Sequence, residues 1–107
     1  MDTHQIYHLG GPDAELRMND VMKMFRYGFR TIGGFDVERV LDRGGTVEYA
    51  LTGGHSVIIK SFYEDAAIEA SFFPAGDDEE AAAAGACIRG EIENIIYIDC
   101  RAGYCCE

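Results

Sequence analysis

The clearest hydrophobic periodicity in the chain lies between Pro12 and Gly33. Apolar side chains recur there at intervals of three and four residues, which is the spacing of one face of an amphipathic α-helix. Pro12 or Asp13 suits the start of such a helix, and Gly33-Gly34 suits its end. The pattern predicts a first helix whose buried stripe consists of Met18, Val21, Met22, Phe25, Phe29 and Ile32.

Strict alternation of apolar and polar residues replaces this period in "TVEYALTGGHSVIIKSFYE", which begins at Thr46. Alternation around a Gly-Gly pair predicts a β-hairpin. A two-residue loop would set Val47 against Lys60, whereas a loop of residues 53–55 matches apolar with apolar and acid with base. The three-residue loop gives the cross-strand pairs Leu51–Val57, Tyr49–Ile59 and Glu48–Lys60.

Two further strands flank these elements. Residues 4–9 alternate moderately before Gly10-Gly11 and predict a short first strand. Residues 66–73 predict a third meander strand, with Glu64-Asp65 as its turn and Pro74 as its end.

The remaining segments predict two more helices and a last strand. In "FDVERVLDRGG", Asp36 is a suitable N-cap and Phe35 can pack on Val40 as a hydrophobic staple, so a short second helix is expected to end at Gly44. Asp77 or Asp78 can cap a third helix that runs through the alanines after residue 80. The β-rich, apolar residues 93–99 predict a buried strand.

The predicted order is therefore β-α-α-β-β-β-α-β. A chain of 107 residues is expected to form a single domain over residues 1–107, with residues 101–107 as a short tail. This order and size predict the α+β class, with an antiparallel or mixed sheet of about four to five strands and helices packed on one face.

Charge changes the picture more than composition does. The net charge is −10 for 11.8 kDa, which disfavours direct binding to nucleic acid or an anionic membrane and favours a basic partner. The charge is also uneven. Residues 1–63 hold eight acids and seven bases, whereas residues 64–107 hold eleven acids and two bases. No apolar run approaches the ~20 residues of a membrane span, and no signal peptide is predicted, so a cytoplasmic protein is expected.

The acids around "GDDEEAAAAG" have two interpretations. Acids in the first turn of a helix are stabilised by its dipole, and the others can be a solvated face. The alternative is an acidic surface that imitates phosphates and docks on a groove lined with Lys and Arg. The predicted contact residues for that surface are Glu64, Asp65, Asp77, Asp78, Glu79, Glu80, Glu91 and Glu93.

Lys23, Arg26 and Arg30 form a basic stripe on the first predicted helix. The stripe is either the solvent-facing side of that helix or a secondary contact patch, for instance toward an acidic neighbour in a homodimer.

The cysteines and histidines carry no catalytic signature, and no metal or cofactor is predicted. Cys87 is expected to be a small buried helix residue, and His55 a solvated loop histidine. An alternative function, a small zinc-binding or enzymatic domain, stays open because thiolates and imidazoles suit zinc. Its candidate ligands would come from Cys100, Cys105, Cys106, His4, His8 and His55.

In its overall character the chain resembles the small acidic inhibitors of phages and mobile elements, of which anti-CRISPR proteins are the best-known group. The resemblance is compositional: one compact, strongly acidic, turn-rich α+β domain without a catalytic motif. It implies a non-enzymatic protein that binds a nuclease or surveillance complex and blocks its nucleic-acid groove. A homodimeric accessory protein is the third open alternative.

Overall fold

The computed structural model describes residues 3–27, 29–76 and 79–96. Its six strands and two helices follow one another as β1 (Thr3–His8), α1 (Ala14–Tyr27), β2 (Thr31–Ile32), β3 (Phe35–Asp42), β4 (Thr46–Leu51), β5 (Ser56–Phe62), β6 (Ala67–Phe73) and α2 (Glu79–Ile96). Neither helix combines the length and apolarity needed to cross a membrane.

The strands form one fully antiparallel sheet in the order β1-β6-β5-β4-β3-β2. Consecutive hairpins generate the order from β2 to β6, and β1 joins at the far edge beside β6. The expected single α+β domain is confirmed. The sheet has six strands where about four to five were expected, because β2 and β3 stand where helix was predicted, whereas residues 93–96 of the predicted last strand are helical.

One hydrophobic core joins both helices to the same face of the sheet. α1 contributes Met18, Val21, Met22 and Phe25, as its periodicity predicts, and α2 contributes a stripe of isoleucines and alanines. Within the core the Tyr49 hydroxyl donates a hydrogen bond to the Phe25 carbonyl. Burial raises the pKa of Tyr49, so the hydroxyl stays protonated and acts as a donor.

The helix α1 is shorter than its apolar pattern suggests. It ends at Tyr27, so Phe29 and Ile32 belong to the chain that follows it, with Ile32 buried in β2. The apolar period continues past the helix because both segments pack on the same core.

The β4–β5 hairpin has a three-residue loop, but the loop is Thr52–Gly54 rather than 53–55. Tyr49 therefore pairs with Val57 and Val47 with Ile59, a shift of two residues from the predicted register. Gly54 adopts φ +84°, a backbone conformation that the predicted loop would have imposed on His55. A shift of two leaves every side chain on its expected face, and Val47, Tyr49 and Leu51 are buried as predicted.

The predicted second helix at residues 36–43 is wrong, because this segment is strand β3. Gly33, Gly34 and Gly44 take positive φ values of 61°, 87° and 74° and make turns at both its ends. The strand pairs with β4 along its length, with a register shift between Val37 and Arg39. That bulge interrupts the alternation that would have marked the strand in the sequence.

The predicted strand at residues 93–99 is also wrong where the structure describes it, because residues 93–96 are the last turn of α2. Residues 97–99 of that prediction, and the predicted tail 101–107, lie outside the described residues. Ile88, Ile92, Ile95 and Ile96 share one buried helical face. β-branched residues are typical of strands, but here the helical spacing of their burial decides the structure.

Candidate functional site

Exposed acids lie at opposite ends of strand β6. Glu64 and Asp65 occupy the short 3-10 turn that precedes β6, and Glu79 and Glu80 form the first turn of α2 that follows it. All four side chains are exposed. A seven-residue strand at about 3.3 Å per residue separates the two ends by about 20 Å. We call the first pair the turn acids and the second pair the helix acids.

The turn acids sit beside the first half of α1. The Tyr63 hydroxyl donates to Asn19 Oδ1 over 2.7 Å, an exposed contact between the turn and the helix. Glu15 lies one helical turn before Asn19 and is exposed, so it adds negative charge to the same side of α1. The sequence analysis missed Glu15 because no local signal links it to a turn almost fifty residues away.

One of the helix acids, Glu80, borders a hollow of about 660 Å³ between α2 and the β4–β5 loop. Glu80 lines this hollow together with Phe35, His55 and Cys87, and the rest of its wall consists of alanines and glycines. Since His55 belongs to the loop at the far end of β5 from Glu64, the hollow confirms that the helix acids lie at the other end of the sheet.

Two of the predicted contact acids accept hydrogen bonds within the fold. The Gly33 N–H donates to Glu91 Oε2 over 2.5 Å, and the Tyr7 hydroxyl donates to Glu93 Oε2 over 2.9 Å. Both carboxylates are half-buried. Glu91 thus attaches the β2–β3 turn to α2, and Glu93 attaches strand β1. Asp77 and Asp78 lie outside the described residues.

The predicted basic patch also contains one residue that is bonded within the fold and two that are exposed. Arg26 donates to the Gly44 carbonyl over 2.6 Å, and its Nε lies 3.2 Å from Asp42 Oδ2, so this side chain clamps the β3–β4 loop to α1. Lys23 and Arg30 are exposed. Of the three bases, these two are available to a partner.

His55 has a structural role that the sequence did not indicate. Its ring is half-buried, in contact with Phe35 at a centroid distance of 4.9 Å and with Phe72 at 5.7 Å. The Ala75 N–H donates to His55 Nδ1 over 3.0 Å, which ties the β4–β5 loop to the chain leading into α2. The expectation of a solvated loop histidine is therefore replaced by a ring that anchors this connection.

The cysteine and histidine predictions have mixed outcomes. Cys87 is exposed on α2, at the hollow beside the β4–β5 loop, so the expectation of a buried cysteine is wrong. His4 and His8 are exposed on β1. Cys100, Cys105 and Cys106 lie outside the described residues. Within residues 3–27, 29–76 and 79–96, no group of three or more His, Cys, Asp or Glu side chains is placed to hold a metal ion.

Comparison with known proteins adds no family to this picture. No protein-family model matches the chain, and no curated protein matches it in sequence. The candidate site therefore rests on its own geometry: two exposed acidic pairs near opposite ends of β6, where the sequence had suggested one contiguous acidic face.

Proposed function

We propose that this protein is a non-enzymatic inhibitor that binds, through its exposed acids, in the basic nucleic-acid groove of a nuclease or surveillance complex, in the manner of anti-CRISPR proteins. The observation that carries the proposal is the placement of the turn acids and the helix acids at the two ends of β6. They are exposed on a chain with a net charge of −10.

The spacing suits a groove that accommodates a phosphate backbone. About 20 Å corresponds to roughly six nucleotides of one strand of B-form DNA at 3.4 Å per nucleotide. A groove of that length presents positive charge at several points, and the two acidic pairs would occupy two of them at once.

Rigidity supports the same function. Both acidic pairs lie on elements that flank β6 in sequence, and β6 is an interior strand that pairs with β1 on one side and β5 on the other. Charges held in place by the fold lose little conformational entropy on binding. Contacts of this kind steer association strongly at low salt and weaken as salt screens the charges.

The contact surface that we propose is narrower than the one predicted from the sequence. Glu91 and Glu93 accept hydrogen bonds within the protein and are assigned to folding. Glu64, Asp65, Glu79 and Glu80 are the proposed contact residues, with Asp77 and Asp78 adjacent to them in sequence. The expected partner is thus a basic protein groove, with no direct contact to nucleic acid.

Competition experiments test the proposal. A panel of purified CRISPR surveillance complexes and related nucleases is incubated with fluorescent target DNA or RNA, and the wild-type protein is titrated in. We expect displacement from at least one complex, weakened at high salt. The double variants Glu64→Gln/Asp65→Asn and Glu79→Gln/Glu80→Gln should each raise the inhibitory concentration about tenfold, since each removes two charge contacts.

The matched control removes the same charge elsewhere. Asp36→Asn/Glu38→Gln neutralises two exposed acids on β3, outside both proposed contact pairs. We expect it to inhibit like the wild type. A wild-type protein that displaces nucleic acid from no complex, or a β3 control that loses as much inhibition as the site variants, would contradict the proposal.

A further inference from the structure

The outward side of α1 carries a stripe of residues that the fold does not use. Leu16, Asp20, Lys23 and Tyr27 follow one another at intervals of four, three and four residues, so they share one face of the helix. This face is opposite the buried stripe that packs on the sheet. Leu16 is 64% exposed and Tyr27 is 79% exposed. We call these four residues the outer stripe of α1.

The outer stripe is complementary to a second copy of itself. Two α1 helices can lie antiparallel about a two-fold axis that crosses them at the level of Val21 and Met22. The order of the stripe residues along the helix is then reversed in the partner. Leu16 then faces the partner's Tyr27, and Asp20 faces the partner's Lys23. Both contacts occur twice, because a two-fold interface uses the same surface on each subunit.

We propose that the protein forms a homodimer in which the outer stripes of two α1 helices pack antiparallel against each other. Apolar side chains meet at both ends of the contact, and opposite charges meet on either side of the axis. A parallel arrangement would place each charge beside its own copy, which repels. The complementarity of the stripe therefore selects both the partner and its orientation.

Neighbouring residues extend the contact without opposing it. Met24, which is 36% exposed, flanks the stripe on the outward side of α1. The exposed Tyr63 is attached to Asn19 by a hydrogen bond and lies at the edge of the interface. Two helices of 14 residues are about 21 Å long and pack 8–10 Å apart.

An interface of this size is expected to be weak. A single helix pair buries less than the ~1,200 Å² of a stable protein complex. We therefore expect a dissociation constant in the range of about 10–100 μM, and association that depends on concentration. The dimer does not depend on the proposed inhibitory function, because the outer stripe contains none of the four proposed contact acids.

Sedimentation equilibrium between about 5 and 500 μM protein tests the proposal, since these limits lie roughly twofold below and roughly fivefold above the expected range. The average mass should rise from 11.8 kDa toward twice that value. Asp20→Lys and Lys23→Asp each place like charges across the axis and should weaken the dimer at least tenfold. The double exchange Asp20→Lys/Lys23→Asp restores opposite charges across the axis and should recover an affinity within about threefold of the wild type.

Circular dichroism of each variant establishes that it is folded, and a reversed pair on β3, Glu38→Lys/Arg39→Asp, is the matched control. We expect this control to dimerise like the wild type. A wild-type mass of 11.8 kDa over the whole concentration range overturns the proposal. A dimer that is insensitive to Asp20→Lys overturns it as well, and failure of the double exchange to restore association overturns the antiparallel register.

Discussion

Replacing Gly33 by alanine tests how closely the β2–β3 turn is packed against α2. Gly33 has a φ of +61°, and an added Cβ would lie 2.5 Å from Ile88 Cγ1 and 3.2 and 3.3 Å from the Ile88 N and Cα atoms. Ile88 is 1% exposed. Because two of the three nearest atoms are helix backbone, the turn itself has to move.

The expected loss of stability has three parts. A left-handed backbone costs alanine about 1 kcal/mol relative to glycine, and overpacking a filled site costs about 1–3 kcal/mol. Movement of the turn also lengthens the 2.5 Å hydrogen bond from the Gly33 N–H to Glu91. We expect Gly33→Ala to lower the free energy of unfolding by about 2–4 kcal/mol, a large share of the ~5–15 kcal/mol typical of a domain.

Urea unfolding followed by circular dichroism measures this loss. With a slope of about 1–1.5 kcal/mol per molar, the midpoint should fall by about 2 M. Gly34→Ala is the matched control, since Gly34 has a φ of +87° and nothing within 4 Å of an added Cβ. Gly34→Ala should lower the free energy of unfolding by the backbone cost alone, about 1 kcal/mol. If Gly33→Ala costs no more than Gly34→Ala, the turn does not press on α2 as described.

Three further substitutions have defined effects on urea stability. Tyr49→Phe leaves the buried Phe25 carbonyl without its donor and should cost about 1–2 kcal/mol. Burial raises the pKa of Tyr49, so above about pH 10 the phenol ionises in the unfolded state before it does in the folded state. Wild-type stability therefore falls as the pH rises above about 10. The Tyr49→Phe variant lacks this pH-dependent loss. Arg26→Ala removes the contacts with Asp42 and the β3–β4 loop and should cost about 1 kcal/mol. Gly90→Ala adds a methyl group in open space on α2 and should stabilise by about 0.5–1 kcal/mol.

Each of these substitutions has a control of the same chemical type. Tyr63→Phe removes an exposed hydroxyl, and Arg30→Ala removes an exposed base, so both should change stability by less than about 0.5 kcal/mol. Gly85→Ala is the control for Gly90→Ala. It places a Cβ 3.0 Å from the Phe72 ring, and this close contact should offset the gain in helix propensity that we expect at Gly90. Equal effects within any of the three pairs would show that burial and packing at these positions are wrongly assigned.

Sequence pattern predicted the elements whose burial follows a regular period. α1 and the β4–β5 hairpin each present one face to a single core, so the period of apolar residues reports the local structure directly. The register of the hairpin was harder to predict from the sequence, because it depends on which loop residue adopts a positive φ. Gly54 accepts it, and the alternating pattern is the same for either loop.

β3 and the end of α2 could not be assigned because their local signals conflict with their tertiary partners. Asp36 is a suitable helix cap, but Val40 lies opposite Tyr49 in the sheet and the bulge breaks the alternation around it. Ile95 and Ile96 are typical strand residues, yet they complete the buried face of a helix. In both segments a partner distant in sequence decides the outcome, and local propensity is too weak to oppose it.

The same reasoning applies to the acids, whose residue type does not reveal their role. Glu80 and Glu91 lie on one helix, eleven residues apart, but only Glu91 meets a backbone N–H from a turn 58 residues earlier in the chain. A charge count therefore overestimates the surface that a partner can use, because it includes carboxylates already bound within the fold. Neutralising Glu91 should act on stability, whereas neutralising Glu80 should act on binding. The division between acids that are bound within the fold and acids that stay exposed depends on long-range packing, such as that of the β2–β3 turn on α2, which no local window of sequence contains.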